Sequence, residues 1–476
     1  HSFNSPDSSL GKEDYNFIYD RDEVYMGDDW IGENTDKPFF AQIQLHGGKN
    51  RNPDIEETVD PKDVTVPPYY PDTEVYRKDW ASYLEAWIYI DQQVKEILSV
   101  LKEREELENT LIFFWTDHGI SHLRAKQFLY EGGIKVPLIV RFPGKKNAGT
   151  VNDQLVNHLD IAATSLRQAG IEIPDYIQGR PLFDENTQDR EYLFTARDRC
   201  DATVDIIRSV RTDKYKYIRN FYPFIPHTQP NRYKDGKEIT QTIREMHPKG
   251  ALSEKLDEMY FGSRPEEELY YLEKDPHEMN NLADDPEYSQ VKKRMRSALY
   301  SKMKTYRDMG LIPEPTLEEQ GLKHGSKYFI LKNDTARISK IIDIIEEGES
   351  NNTKALTEGL RSPLPSIRYW SATWLGVNGT KSAIPVIKNH TDDESASVRI
   401  AAGLALCRLG ENEIGLSTLE KELDNPNLIA EMYALRALEK VGDKAMPLKD
   451  RIREEKESRY EFSRRLATRI YRELNK

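Results

Sequence analysis

Apolar and polar positions change their rhythm along the chain. In the first third, short apolar runs stand between turn-forming residues: KPFFAQIQL (37–45) ending in HGGKN, TLIFFW (110–115) and VPLIVRF (136–142). Runs of this length, apolar on both faces, predict strands of a covered parallel sheet. Between the first two, Trp80, Tyr83, Leu84, Trp87, Val94, Leu98 and Leu101 recur at helical spacing, which predicts an amphipathic helix of about six turns starting at Asp79. LDIAATSLRQAGIEIP (159–174) predicts a further helix closed by Gly170. Strand–helix–strand order of this kind implies an α/β domain with a helix-flanked sheet.

From Glu191 the texture shifts. YKYIRNF (215–221) and ELYYLEKDP (268–276) alternate and carry aromatics, as antiparallel strands do, and PEYSQVKKRMRSALYSKMKTY (286–306) predicts a terminal helix. Beyond Pro313 the chain is helical and repetitive. SIRYWSATWLGVNG (366–379), SVRIAAGLALCRLG (397–410) and IAEMYALRALEKVG (429–442) align at a spacing of 31–32 residues, each ending in Gly. Stacked two-helix repeats of the HEAT type follow from this, with a period shorter than usual for that class. The expected domains are 1–190 (α/β), 191–312 (a small α+β subdomain with an antiparallel sheet) and 313–476 (all-α repeats, offering a surface for protein contact).

At 476 residues two or three domains are natural. A net charge of −13 argues against a nucleic-acid partner. The mean hydropathy is −0.74, and no apolar run approaches the ~20 residues of a membrane span. Cys200 and Cys407 fall in different expected domains, which argues against a disulfide. The sequence opens on His1 with no visible leader, so a leader or a larger N-terminal part is expected to lie outside it. Locally, 197–219 holds seven Lys/Arg against four Asp, an excess that could face an anionic ligand or be a solvated strand pair.

Chemistry concentrates where strands end. Asp117, His118 and Gly119 follow TLIFFWT, and in open α/β sheets ligands bind beyond the carboxyl ends of strands. A carboxylate with a neutral imidazole suits a hard divalent cation; the same pair equally suits a helix cap. Lys126, before the Gly132–Gly133 turn, could reach an anion held on the metal. In QLHGGKNR, His46, Lys49 and Arg51 surround two glycines and could bind or protonate an oxyanion leaving group. His122 and Arg124 suit a pocket lining or a surface loop.

These blocks together resemble the sulfatase family of the alkaline-phosphatase superfamily. TLIFFWTDHG, LYEGGIKVPLIVRFPG, HLDIAATSLRQAGIEIPDYIQGRPL, RDRCDATVDIIRSVRTDKYKYIRNF and ELYYLEKDPHEMNNLADDP are closest to the N-sulfoglucosamine sulfohydrolase (sulfamidase) type and to bacterial polysaccharide sulfatases. The resemblance covers roughly 15–310 and leaves the helical repeats outside. It implies an alkaline-phosphatase-like sheet, and Ca²⁺ held in part by Asp117 and His118. It implies contact of Lys126 with sulfate and nucleophile, and a general acid at His46 or at Lys49, where the family often has a second His. Arg51, Arg197, Asp201, Asp205 and Arg208 become candidates for sugar recognition. The family's nucleophile is a formylglycine made from Cys or Ser in a C/S-x-P/A-S-R segment, and no such segment is found here. The Asp-Asp pair of GDDW (27–30) does not follow an apolar strand. The nucleophile and the remaining metal ligands are therefore expected to precede His1, leaving this chain alone with an incomplete, inactive site. The implied activity is hydrolysis of sulfate esters or sulfamates on a carbohydrate such as heparan sulfate, in the periplasm or outside the cell. The alternatives are a phosphodiester or phosphonate hydrolase of the same superfamily, and a non-catalytic interaction protein on a decayed sulfatase core.

Overall fold

The computed structural model describes residues 2–5, 18–28, 30, 37–45, 47, 55–184, 187–333 and 337–476. They form two compact units. The first comprises 1–189 with 237–257, the second 190–236 with 258–476.

In the first unit, β1 (Ser2–Ser5) pairs in parallel with β2 (Phe40–Ile43), Ser2 opposite Phe40. The long helix α1 runs from Glu74 to Glu103. At about eight turns it exceeds the sequence expectation by one and a half at its start. The extra residues are set by Thr73, whose side chain accepts from the Tyr76 amide and caps the first turn. Leu101 of α1 and Trp30 anchor an apolar cluster with Phe39, Ala41, Ile43 and Ile112, which seats the helix on the strands. Inside the unit, the Tyr76 hydroxyl donates to Ile239 O at 2.9 Å, fastening the 237–257 excursion to α1.

The strand β3 (Ile112–Trp115) forms where TLIFFW predicts one, and so does β4 (Leu138–Arg141). Their pairing corrects the expected parallel arrangement: Ile112 lies opposite Arg141 and Trp115 opposite Leu138, antiparallel. A parallel pair needs a crossover, usually a helix of some length. The connection here folds back on itself and contains only the one-turn helix α2 (Glu131–Ile134). After β4 comes α3 (Leu159–Gln168), followed by Gly170 at φ +71° as expected.

In the second unit, β5 (Leu193–Arg197), β6 (Ile207–Arg211), β7 (Tyr215–Asn220) and β8 (Glu267–Tyr271) form an antiparallel meander in that order. The helix α4 (Ser289–Thr305) lays Met295, Leu299 and Met303 into the core. The repeats follow, with inner helices α5 (Pro365–Val377), α6 (Ala396–Leu409) and α7 (Leu428–Val441). Their closing residues Gly379, Gly410 and Gly442 all have positive φ, a backbone that favours glycine. Small sheet and repeats share one apolar core. Trp370 of α5 is fully buried, stacks on Tyr222 at 4.9 Å and donates from Nε1 to Leu311 O at 2.8 Å. A solenoid end needs a cover for its apolar face, and the segment after β7 supplies one. Cys200 and Cys407 both lie in this unit, and neither forms a disulfide.

Candidate active site

β3 delivers Asp117 and His118 to its carboxyl end. The Asp117 side chain is 79% exposed, whereas His118 is mostly covered. His118 Nδ1 lies 2.7 Å from Gly119 O. A carbonyl only accepts, so Nδ1 carries the proton, and in the neutral ring Nε2 keeps its lone pair. That Nε2 stands 3.4 Å from Asp117 Oδ2. Two electron-rich atoms so placed repel unless a proton or a cation lies against both. A carboxylate oxygen and an imidazole nitrogen fit a divalent cation as part of its shell. Among the described residues they form a pair, with no third His, Cys, Asp or Glu grouped beside them.

The strand end is braced by its own backbone. Thr116 Oγ1 donates to His118 O at 3.0 Å, and His158 Nε2 donates to Thr116 O at 2.8 Å. His158 opens α3, so this bond ties the helix start to the turn that carries Asp117 and His118. Sequence reading passed over His158, and its position one residue before an apolar helix was the available signal.

The loop 119–130 is pinched against α2. The Gly119 amide donates to Gly133 O at 3.0 Å, and the Lys126 amide to Ile120 O at 2.9 Å. A Cβ on Gly133 would sit 2.4 Å from Ala125 O and 2.5 Å from Phe128 O. The glycine therefore allows the approach that holds half-buried Lys126 in place. Gly133→Ala is expected to cost about 1–3 kcal/mol by overpacking, read as a lower urea midpoint of the first unit.

His122 and Arg124 are not on a surface loop. Both are buried. His122 bonds Asp79 of α1 and sits among the rings of Tyr70, Trp80 and Tyr83, with centroids at 5.8, 5.3 and 6.1 Å. The Arg124 guanidinium lies 3.6 Å from the Tyr130 ring centroid, a cation–π contact. They anchor the loop that carries Lys126. His46, Lys49 and Arg51 lie outside the described residues.

The basic stretch of the second unit is mostly spent on protein partners. Asp205, 1% exposed, receives Arg264 in a two-pronged pair at 2.8 and 2.9 Å, with Arg197 at 3.3 Å. Burial works to raise the Asp205 pKa, but the guanidinium groups of Arg264 and Arg197 override it and hold the carboxyl well below the usual range. Arg208, fully buried, is held by Asp308 at 2.5 and 2.9 Å and by Asp198 at 2.8 Å. Arg199 pairs with Glu314, Lys216 with Glu278 and Arg219 with Glu349. The sugar-recognition expectation is thus corrected for Arg197, Asp205 and Arg208, which are buried in the framework. Asp201 keeps partial exposure, at φ +52°.

A family model for sulfatases matches residues 2–171, and one for the C-terminal part of N-sulphoglucosamine sulphohydrolase matches 118–259. Over residues 2–259 the chain is similar to the sulfatase family. A HEAT-repeat model matches residues 353–439 of the chain. Among curated relatives, an ulvan-active sulfatase of Formosa agariphila is 29% identical over 417 residues, 77% of this chain and 68% of the relative. Human N-sulphoglucosamine sulphohydrolase is 25% identical over 60% of this chain and 64% of its own length. An N-acetylglucosamine-6-O-sulfatase of Bacteroides thetaiotaomicron is 27% identical over 49% and 37% respectively. The chain thus spans two thirds or less of the length of most of these relatives. These relatives carry the names of sulfatases and of a sulphohydrolase.

Proposed function

We propose that this chain contributes the cation- and sulfate-facing residues of a carbohydrate sulfatase acting on sulfate esters or sulfamates. The observation that carries this reading is the Asp117 carboxylate 3.4 Å from an imidazole nitrogen whose opposite nitrogen is committed to a carbonyl. Asp117 and His118 would hold Ca²⁺, which supplies positive charge to a sulfate oxygen. Lys126 would neutralise charge on the sulfate, and His46 or Lys49 would protonate the leaving oxygen or nitrogen. Lysine needs a depressed pKa for that duty near neutral pH, which favours His46. The family's formylglycine would supply the attacking oxygen in the whole enzyme. Asp201 is the member of the basic stretch left for sugar contact. Phosphodiester and phosphonate hydrolysis are disfavoured because the curated relatives above are sulfatases.

Sulfated glycans lie outside cells, so a periplasmic or secreted location follows from the substrate class. Among the described residues no helix is long and apolar enough to cross a membrane. The test is sulfate release from sulfated oligosaccharides by the whole enzyme, with and without EDTA. Release that EDTA abolishes and Ca²⁺ restores supports the reading; release indifferent to EDTA overturns the metal assignment.

A further inference from the structure

The inner repeat helices α5, α6 and α7 carry five cationic side chains. Three meet carboxylates: Arg368 with Asp393 at 2.7 Å, Arg399 with Glu422 at 2.5 Å, and Arg436 with Glu439. Arg408 and Lys440 have no carboxylate partner among the described residues. They stand two positions before Gly410 and Gly442, equivalent places in successive repeats. Stacking of the repeats therefore brings two like charges to one edge. Crowding by surrounding protein, then the guanidinium groups of Arg436 and Arg408, push the Lys440 ammonium down to about 7, although the side chain keeps solvent contact.

The closest groups against these cations are aromatic, and the carboxylates of Glu439 and Asp205 act on Lys440 only from beyond ion-pair distance. The Arg408 guanidinium lies 5.6 Å from the Phe224 ring centroid, and the Lys440 ammonium lies 6.0 Å from that of Tyr222. Phe224 meets Trp374 of α5 edge-on at 5.5 Å. Trp374 is 4% exposed, yet among the described residues its Nε1–H has no hydrogen-bond partner. All of these groups belong to the second unit. Cation–π attraction offsets only part of the cost of holding two like charges together in a partly desolvated place. An anion from outside would offset the rest. A guanidinium fork matches a tetrahedral oxyanion, and the half-buried ring of Phe224 leaves an edge for the C–H face of a pyranose.

We propose that Arg408 and Lys440, with Phe224 beside them, form a binding subsite for a sulfate-bearing saccharide on the repeat region. The choice of sulfated sugar rests on the sulfatase reading, whereas the choice of an anion rests on the unpaired cations. The subsite would hold a charged glycan by a group other than the one hydrolysed.

The test is calorimetric titration of the 476-residue chain with N-acetylglucosamine 6-sulfate, inorganic sulfate and N-acetylglucosamine, with tryptophan fluorescence as a second readout. Titrations run in an Asp117→Asn/Lys126→Ala background, so binding near those residues does not contribute. The sulfated sugar is expected to bind more tightly than the other two probes. Arg408→Gln and Lys440→Gln should each weaken it by about tenfold, the scale of one charge-assisted contact. Arg408→Lys, which keeps the charge and spares the fold, should retain most of the affinity. Equal binding by the Arg408→Gln/Lys440→Gln variant overturns the subsite. Binding of N-acetylglucosamine as tight as that of its 6-sulfate overturns the anion, and inorganic sulfate binding as tightly as the sulfated sugar overturns the saccharide. No step depends on turnover, so failure here leaves the proposed hydrolysis standing, and the reverse holds too.

Discussion

Asp205→Ala is expected to destabilise the second unit by about 3–5 kcal/mol, because it leaves two buried guanidinium groups without their carboxylate. Arg264 loses both of its bonds to the carboxylate, and Arg197 loses its ion pair. The loss should appear as a lower urea midpoint with little change in slope. The same carboxylate predicts an acid limb. Its native pKa is depressed, so its stabilisation is fully present above the ordinary aspartate value of about 3.9. It is lost as pH falls below that value through the native one. Denaturation at pH 7 and pH 3 should show a drop in the wild type that is smaller in Asp205→Asn. Equal drops would mean that Asp205 is not the group responsible.

The second large effect concerns Lys126. Alanine there should lower sulfate release by the whole enzyme by about 10²–10³-fold, the scale of removing one preorganised charge-stabilising donor. Binding of Ca²⁺ should be nearly unchanged, since the lysine is assigned to the anion and not to the metal. A loss of metal affinity equal to the loss of rate would instead place Lys126 in the folding of the loop. The loop's own anchors, His122 on Asp79 and Arg124 on Tyr130, make that distinction measurable.

What the sequence shows plainly is local. The apolar run of β3, the period of α1 and the glycines closing the repeats all report interactions within a few residues, and each element covers the stretch its pattern marks, α1 starting five residues earlier. What escapes is nonlocal. β3 could not announce that its partner runs antiparallel, because both faces of a short apolar run look alike. The positive excess of 197–219 disappears in space: Asp308, Glu314 and Glu349 arrive from about 100 residues or more away. Similarly, residues 237–257 leave their sequence neighbours for the first unit, held by a main-chain carbonyl that no side-chain pattern encodes. At the site itself, the Asp117–His118 pair was readable as a strand-end signal. The brace from His158 was not, since its partner is the carbonyl of Thr116.

The most direct measurement is calcium-dependent melting of this chain, compared with Asp117→Asn and His118→Ala. If the carboxylate and the imidazole share one cation, millimolar Ca²⁺ should raise the wild-type melting temperature, and either substitution should shrink that shift. An equal shift in all three proteins, or none in the wild type, would contradict the assignment.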